Sequence, residues 1–170
     1  GATVLTPGPR CSAVNVEKTL SVNPVTPQGP SVTYQVNVVN AAPTDGGSWQ
    51  FDPATNDGLV FSDAVTSGAV ASVTTPTSTI CDPDGAHPCD WLSAMTPTGG
   101  QFVVSDLPAG GNVPVTYTAH PPFNDEQVCN TVTGVMMENG VVSNRWYPKY
   151  PDLSDTVCFD VRQRIEISKE

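Results

Sequence analysis

Three polar residues stand where a two-residue alternation calls for apolar ones. Val14, Val16, Leu20 and Val22 alternate with Asn15, Glu17, Thr19 and Ser21, and this parity puts Lys18 on the apolar side of its run. Asp63 shares the parity of Leu59, Phe61 and Val65. Asn130 alternates with Val128 and Val132, opposite a face that carries Cys129, Thr131 and Thr133. A charge on a core face is costly unless it is neutralised, paired or consumed. An amine, a carboxyl and a carboxamide, each directed inward from a different strand, are the groups that make an amide between side chains. Burial disfavours both charged forms, so Lys18 is expected to lose its proton and Asp63 to hold one. Neutral Lys18 would attack the Asn130 carbonyl. Asp63 would hydrogen-bond that carbonyl, stabilise the developing oxyanion and shuttle protons to departing ammonia. The product is an intramolecular isopeptide bond, formed once, with Asp63 catalytic in a domain that does not turn over. The plainer alternative has Lys18 snorkelling at a sheet edge, Asp63 capping a turn and Asn130 satisfying backbone groups.

The elements that must position these residues read as strands. Val14 to Val22 is followed by a Pro- and Gly-containing stretch through Pro30, and then Val32, Tyr34, Val36 and Val38 repeat the alternation. Similar runs are Leu59 to Val65, Gln101 to Asp106, Val113 to Ala119, Val128 to Met136 and Val157 to Val161, most of them separated by Gly, Pro, Asn or Asp. No capped 3.6-residue stripe occurs. The expected fold is all-β, an immunoglobulin-like sandwich of two mostly antiparallel sheets with seven or more strands. The two prolines and missing periodicity of Gly1 to Ser12 suggest a linker, leaving residues 13–161 as one domain. Val14-Asn-Val-Glu-Lys18 near the start is echoed by Ile165-Glu-Ile-Ser-Lys169. This suggests that residues 162–170 lead into another repeat of the same chain, the first expected partner.

Composition narrows the function classes. A length of 170 residues with 38% hydrophobic content suits one sizeable core, and only 14% of residues are charged. Seventeen acidic residues against seven basic ones give a net charge of −10, which repels nucleic acid and anionic lipid. No apolar run approaches the ~20 residues of a membrane span. Five cysteines without a Cys-x-x-Cys pair, and only two histidines, favour disulfides in an oxidising compartment over a zinc site. His87 lies between cysteines and His120 precedes Pro121-Pro122, neither beside a plausible nucleophile. Gly-x-Ser-x-Gly and phosphate-loop patterns are absent. Neither an enzyme, a metal nor a cofactor is implied.

Several segments carry a resemblance to a family. Val16-Glu-Lys-Thr-Leu20, Val32-Thr-Tyr-Gln-Val-Asn-Val-Val-Asn40, Val60-Phe-Ser-Asp-Ala64, Asp106-Leu-Pro-Ala-Gly-Gly111, Pro114-Val-Thr-Tyr117 and Cys129-Asn-Thr-Val-Thr133 together resemble the conserved repeat domain of bacterial surface antigens. This family is the domain of unknown function eleven, and the resemblance runs from about Val14 to Val161. It is similar in turn to the isopeptide-bearing domains of pilins and collagen adhesins. In those domains a first-strand Lys, a mid-domain Asp and a late-strand Asn are joined, and Lys18, Asp63 and Asn130 match in order. Ser62-Asp63-Ala64-Val65-Thr66 departs from the Thr-Asp-Thr-Leu-Pro of many members. The resemblance implies an extracellular stalk module on a bacterial cell surface.

Cys129 and Cys158 share the outer parity of their strands, so a bridge between the last two long strands is sensible, and Cys81 with Cys89 would close a short loop. Cys11 is left over. The acidic loop Asp82-Pro-Asp84-Gly85 lacks the spacing of a calcium loop and reads as a turn. Trp146, Tyr147 and Tyr150 concentrate aromatics in a Pro-rich crossover. They would either anchor that crossover to the sandwich or present a surface to a glycan or host protein.

Overall fold

The computed structural model describes residues 10–11, 14–40, 49–50, 58–78, 89–104, 106–107, 110–123, 127–138, 141–142, 146–147 and 153–161. In chain order its strands are β1 (Arg10–Cys11), β2 (Val14–Val22), β3 (Val32–Asn40), β4 (Trp49–Gln50) and β5 (Gly58–Ser67). They continue as β6 (Ser72–Val73), β7 (Thr77–Ser78), β8 (Cys89–Thr96), β9 (Gly99–Val104) and β10 (Asp106–Leu107). The last five are β11 (Asn112–His120), β12 (Gln127–Glu138), β13 (Val141–Val142), β14 (Trp146–Tyr147) and β15 (Ser154–Asp160).

Two antiparallel sheets form the sandwich. One has the order β2-β3-β11-β6, with β7 also paired to β11. The other has the order β13-β12-β5-β9-β8, with β15 also paired to β12. The alternation that defines β2, β3, β5, β11 and β12 in the sequence is the alternation of burial. Val32, Tyr34, Val36 and Val38 of β3, for example, are fully enclosed while the residues between them are not. All seven runs expected from the sequence are strands. Gln101 to Asp106, expected as one run, is divided: β9 ends at Val104, and Asp106–Leu107 pairs instead with Trp49–Gln50. Strand β8 was not anticipated. Its register against β9 slips at two places and Leu92, Ser93 and Ala94 are all exposed, so this edge strand has no clean alternation to read.

Two glycines make room beside the site strand. At Gly99, which opens β9 with φ of +149°, a Cβ would come within 2.3 Å of the Asp63 carbonyl oxygen. At Gly134 it would strike the Phe61 ring.

Strands β12 and β15 pair so that Cys129 lies directly opposite Cys158, and the two form a disulfide on the outer face. The expected Cys81–Cys89 bridge would involve Cys81, which lies outside the described residues. So do residues 1–9 and 162–170, and with them most of the expected linker and all of the expected start of a further repeat. Arg10 and Cys11 form a short parallel pair with Trp146 and Tyr147. The Cys129–Cys158 bridge closes a loop with a sequence separation of 29. Loop-closure entropy then gives it about 3–4 kcal/mol. A Cys129→Ser, Cys158→Ser chain is expected to lose that much unfolding free energy in urea titrations without losing its β circular dichroism.

Candidate functional site

The inward faces carry two apolar clusters. One contains Val36, Phe61, Phe102, Val115 and Val132, and the other contains Val32, Tyr34, Tyr117, Val128 and Phe159. Lys18, Asp63 and Asn130 lie at the boundary between them on all three strands. Lys18 falls between Val16 of the first cluster and Leu20 of the second, Asp63 between Phe61 and Val65, and Asn130 between Val132 and Val128. The result is a thin polar layer with apolar packing on both sides. At 2%, 2% and 3% exposure respectively, the three residues are shut off from bulk water.

Strand pairing brings them together. β2 belongs to one sheet, whereas β5 and β12 are neighbours in the other, with Asn130 opposite Val65 and Asp63 opposite Val132. The amine therefore faces the acid and the carboxamide across the interior of the sandwich. Lys18 Nζ donates to Asp63 Oδ2 at 2.5 Å. The charged pair and the neutral pair differ only by the position of one proton along that short contact. Strand β2 is also fixed from outside, because the Lys18 backbone N–H donates to Asp155 Oδ2 at 2.7 Å from β15, the edge strand of the opposite sheet.

Two tyrosines complete the cluster. Lys18 Nζ lies 4.5 Å from the Tyr34 ring centroid and 5.1 Å from that of Tyr117, and the two rings are 5.2 Å apart. The Tyr117 hydroxyl donates to Asp63 Oδ1 at 2.7 Å and accepts from Lys18 Nζ at 3.1 Å and from Asn130 Nδ2 at 2.9 Å. Here the sequence expectation needs correction. Asp63 does not hydrogen-bond the Asn130 carbonyl, because its two oxygens are taken by Lys18 and Tyr117. Asn130 Oδ1 is buried without a partner, and the acid reaches the carboxamide only through Tyr117.

Burial lowers the Lys18 pKa from its ordinary 10.5, and the charge and hydrogen bond of Asp63, followed by the charge of Asp155, oppose that shift without cancelling it. Tyr34 is pushed up to about 12, by burial first and the Asp63 charge second. The same two causes raise Tyr117 further, with the Asp63 hydrogen bond adding to them. Both phenols therefore keep their protons at any physiological pH.

Tyr34 and Tyr117 lie on the buried side of the Val32–Val38 and Val113–Ala119 alternations, where by parity they look like core residues. The signal that they belong to the site is that an inward tyrosine brings a hydroxyl needing a partner. Trp146 and Tyr147 take part in the separate β1–β14 pair, and Tyr150 lies outside the described residues. Among the described residues no group of three His, Cys, Asp or Glu side chains is placed to hold a metal, and no helix is long and apolar enough to cross a membrane.

No family profile matches this chain, and no curated protein matches it either. Solved structures do resemble it. The collagen-binding domain from a Staphylococcus aureus adhesin has 9% identity over 84% of this chain and 96% of its own, with a TM-score of 0.44. The collagen adhesin structure from S. aureus has 12% identity over 89% of this chain, which spans 53% of that protein, with a TM-score of 0.48. AvmM, which catalyses macrocyclization in alchivemycin A biosynthesis, has 11% identity over 86% of this chain and 88% of its own, with a TM-score of 0.42. Identities this low do not carry chemistry from one protein to another.

The Tyr34 hydroxyl has no hydrogen-bond partner although it is buried. Tyr34→Phe is therefore expected to raise the unfolding free energy by about 1 kcal/mol, measured by urea denaturation.

Proposed function

We propose that this chain is a structural module of a bacterial surface protein, an adhesin, fibre or stalk, whose two sheets are stapled by an autocatalytic isopeptide bond between Lys18 and Asn130. The observation that carries the reading is the buried Lys18–Asp63 contact, with Asn130 joined to the same cluster through one hydroxyl. Leaving an ion pair and a half-satisfied carboxamide in a dry core is expensive. Condensation removes the amine altogether. In this scheme Asp63 takes a proton from the Lys18 ammonium, and the freed amine attacks Asn130 Cγ. The Cγ–Nδ2 bond then breaks, and one ammonia leaves for each amide formed. No water is consumed and no oxidant or metal is required.

The bond would tie the first long strand of one sheet to an interior strand of the other, roughly 110 residues apart in sequence. A cross-link of that span removes unfolded-chain entropy worth ~4–5 kcal/mol. It would also stop the sheets from separating under a load applied along the chain. The Cys129–Cys158 disulfide, the net acidic charge of the chain and its low fraction of charged residues fit an extracellular setting. Membership of the conserved repeat family of surface antigens, tandem neighbours and a host-protein or glycan partner belong to the same proposal.

Under reducing conditions the intact mass of the wild type is expected to fall short of its sequence mass by one ammonia. Lys18→Ala, Asp63→Ala and Asn130→Ala should each have full mass, and a wild type at full mass would end the proposal.

A second expectation concerns pH. An Asn130→Ala chain keeps Lys18 as a free amine whose pKa in the folded state lies below 10.5. Between that lowered value and 10.5 the unfolded chain binds more protons, so unfolding free energy should climb as pH is raised through this window. The climb should be absent from Lys18→Met, Asn130→Ala, and denaturant titrations of the two chains across that window make the comparison.

A further inference from the structure

The Tyr117 hydroxyl is in hydrogen-bond contact with all three of Lys18, Asp63 and Asn130. Its single proton points to Asp63 Oδ1, and its lone pairs receive Lys18 Nζ and Asn130 Nδ2, which fills the donor and acceptor capacity of a phenol. Tyr34 provides a contrast. Its ring lies nearer to Nζ than that of Tyr117, yet its hydroxyl has no hydrogen-bond partner. Cation–π packing would be served by either ring alone, so it does not account for the way Tyr117 is connected.

The condensation has a proton problem that this connection addresses, and the argument rests on the isopeptide reading above. When neutral Nζ adds to Cγ it becomes a positively charged nitrogen with a proton to lose. At the same moment Nδ2 turns from an amide into an amine that must gain a proton before it departs as ammonia. One proton has to cross from Nζ to Nδ2. Solvent is excluded, since the three side chains are 2–3% exposed. Asp63 touches Nζ but makes no hydrogen bond to Asn130. The Tyr117 oxygen is 3.1 Å from Nζ and 2.9 Å from Nδ2, within hydrogen-bond reach of both.

We propose that Tyr117 is a catalytic proton relay for amide formation, its hydroxyl passing its proton to Asn130 Nδ2 while it takes one from Lys18 Nζ. The phenol is neutral before and after. The Nζ–Cγ bond forms, the Cγ–Nδ2 bond breaks, ammonia leaves, and the proton that Asp63 took at the outset stays on Asp63. Burial, which holds the Tyr117 pKa high, suits this role, because a relay must not rest as a phenolate.

The test follows the full chain made by cell-free translation, quenched at intervals and read by intact mass. Wild type should lose one ammonia. Tyr117→Phe, shown to be folded by circular dichroism and by formation of the Cys129–Cys158 bond, should lose it about a hundredfold more slowly. A second chain carries 3,5-difluorotyrosine at position 117, which keeps the ring and the hydroxyl but makes the hydroxyl more acidic. A relay then changes the rate of ammonia loss at fixed pH, whereas a residue that merely holds Asn130 in place leaves it unmoved. Tyr117→Phe reacting as fast as a cross-linked wild type would overturn the relay and leave the isopeptide bond standing. Wild type at full mass would overturn both. Should Tyr117→Phe fail to fold, the fluorinated chain decides alone: a changed rate supports the relay and an unchanged one rejects it.

Discussion

An amine taken out of water into a packed interior has few stable outcomes: it meets a counter-charge, gives up its proton, or reacts. Lys18 is held where all three are open to it. Its Nζ lies 2.5 Å from a carboxylate oxygen, between two aromatic rings, in a layer walled on each side by valines, leucine and phenylalanines. The low-dielectric surroundings strengthen its attraction to Asp63 and at the same time favour moving the proton across, since the neutral pair needs no solvation. The rest of the molecule can be understood as the scaffold that keeps this amine dry and its neighbours in place.

That scaffold works by separating the groups onto elements that cannot shift independently. Asp63 and Asn130 sit on adjacent strands of one sheet, where ladder hydrogen bonds fix their relative height, and Lys18 comes from the other sheet across the core. Gly99 lets the chain turn into β9 against the Asp63 backbone, and Gly134 leaves room for the Phe61 ring two residues before Asp63. Asp155 grips the Lys18 backbone from the edge of the facing sheet, so the strand bearing the amine is anchored at the residue that matters. These supports are local and modest. Together they leave the reactive groups little freedom to be elsewhere.

The polar layer also divides the core. Each of its three strands passes from one apolar cluster to the other at the polar residue, so the sandwich is two hydrophobic halves joined through a seam. The seam holds an orphaned carbonyl oxygen, that of Asn130. A covalent bond there would tie the two sheets together at the seam.

Strand parity is a local property, fixed by the two-residue repeat of an extended backbone, and it was legible without coordinates. It identified the seven main strands, the inward direction of Lys18, Asp63 and Asn130, and the outward pairing of Cys129 with Cys158. Edge strand β8 escaped because an exposed, bulged strand needs no alternation, and the division of the Gln101–Asp106 run was invisible because its cause is a partner strand far away in sequence. Tyr117 was the larger omission. Parity reports which way a side chain points but not what meets its far end, so a tyrosine directed inward looks like any other core residue. Sequence alone determined that an amine, an acid and a carboxamide share one interior. Only the packing of two sheets decided that a phenol stands between the acid and the carboxamide, because that depends on heights and distances between strands that no local pattern encodes.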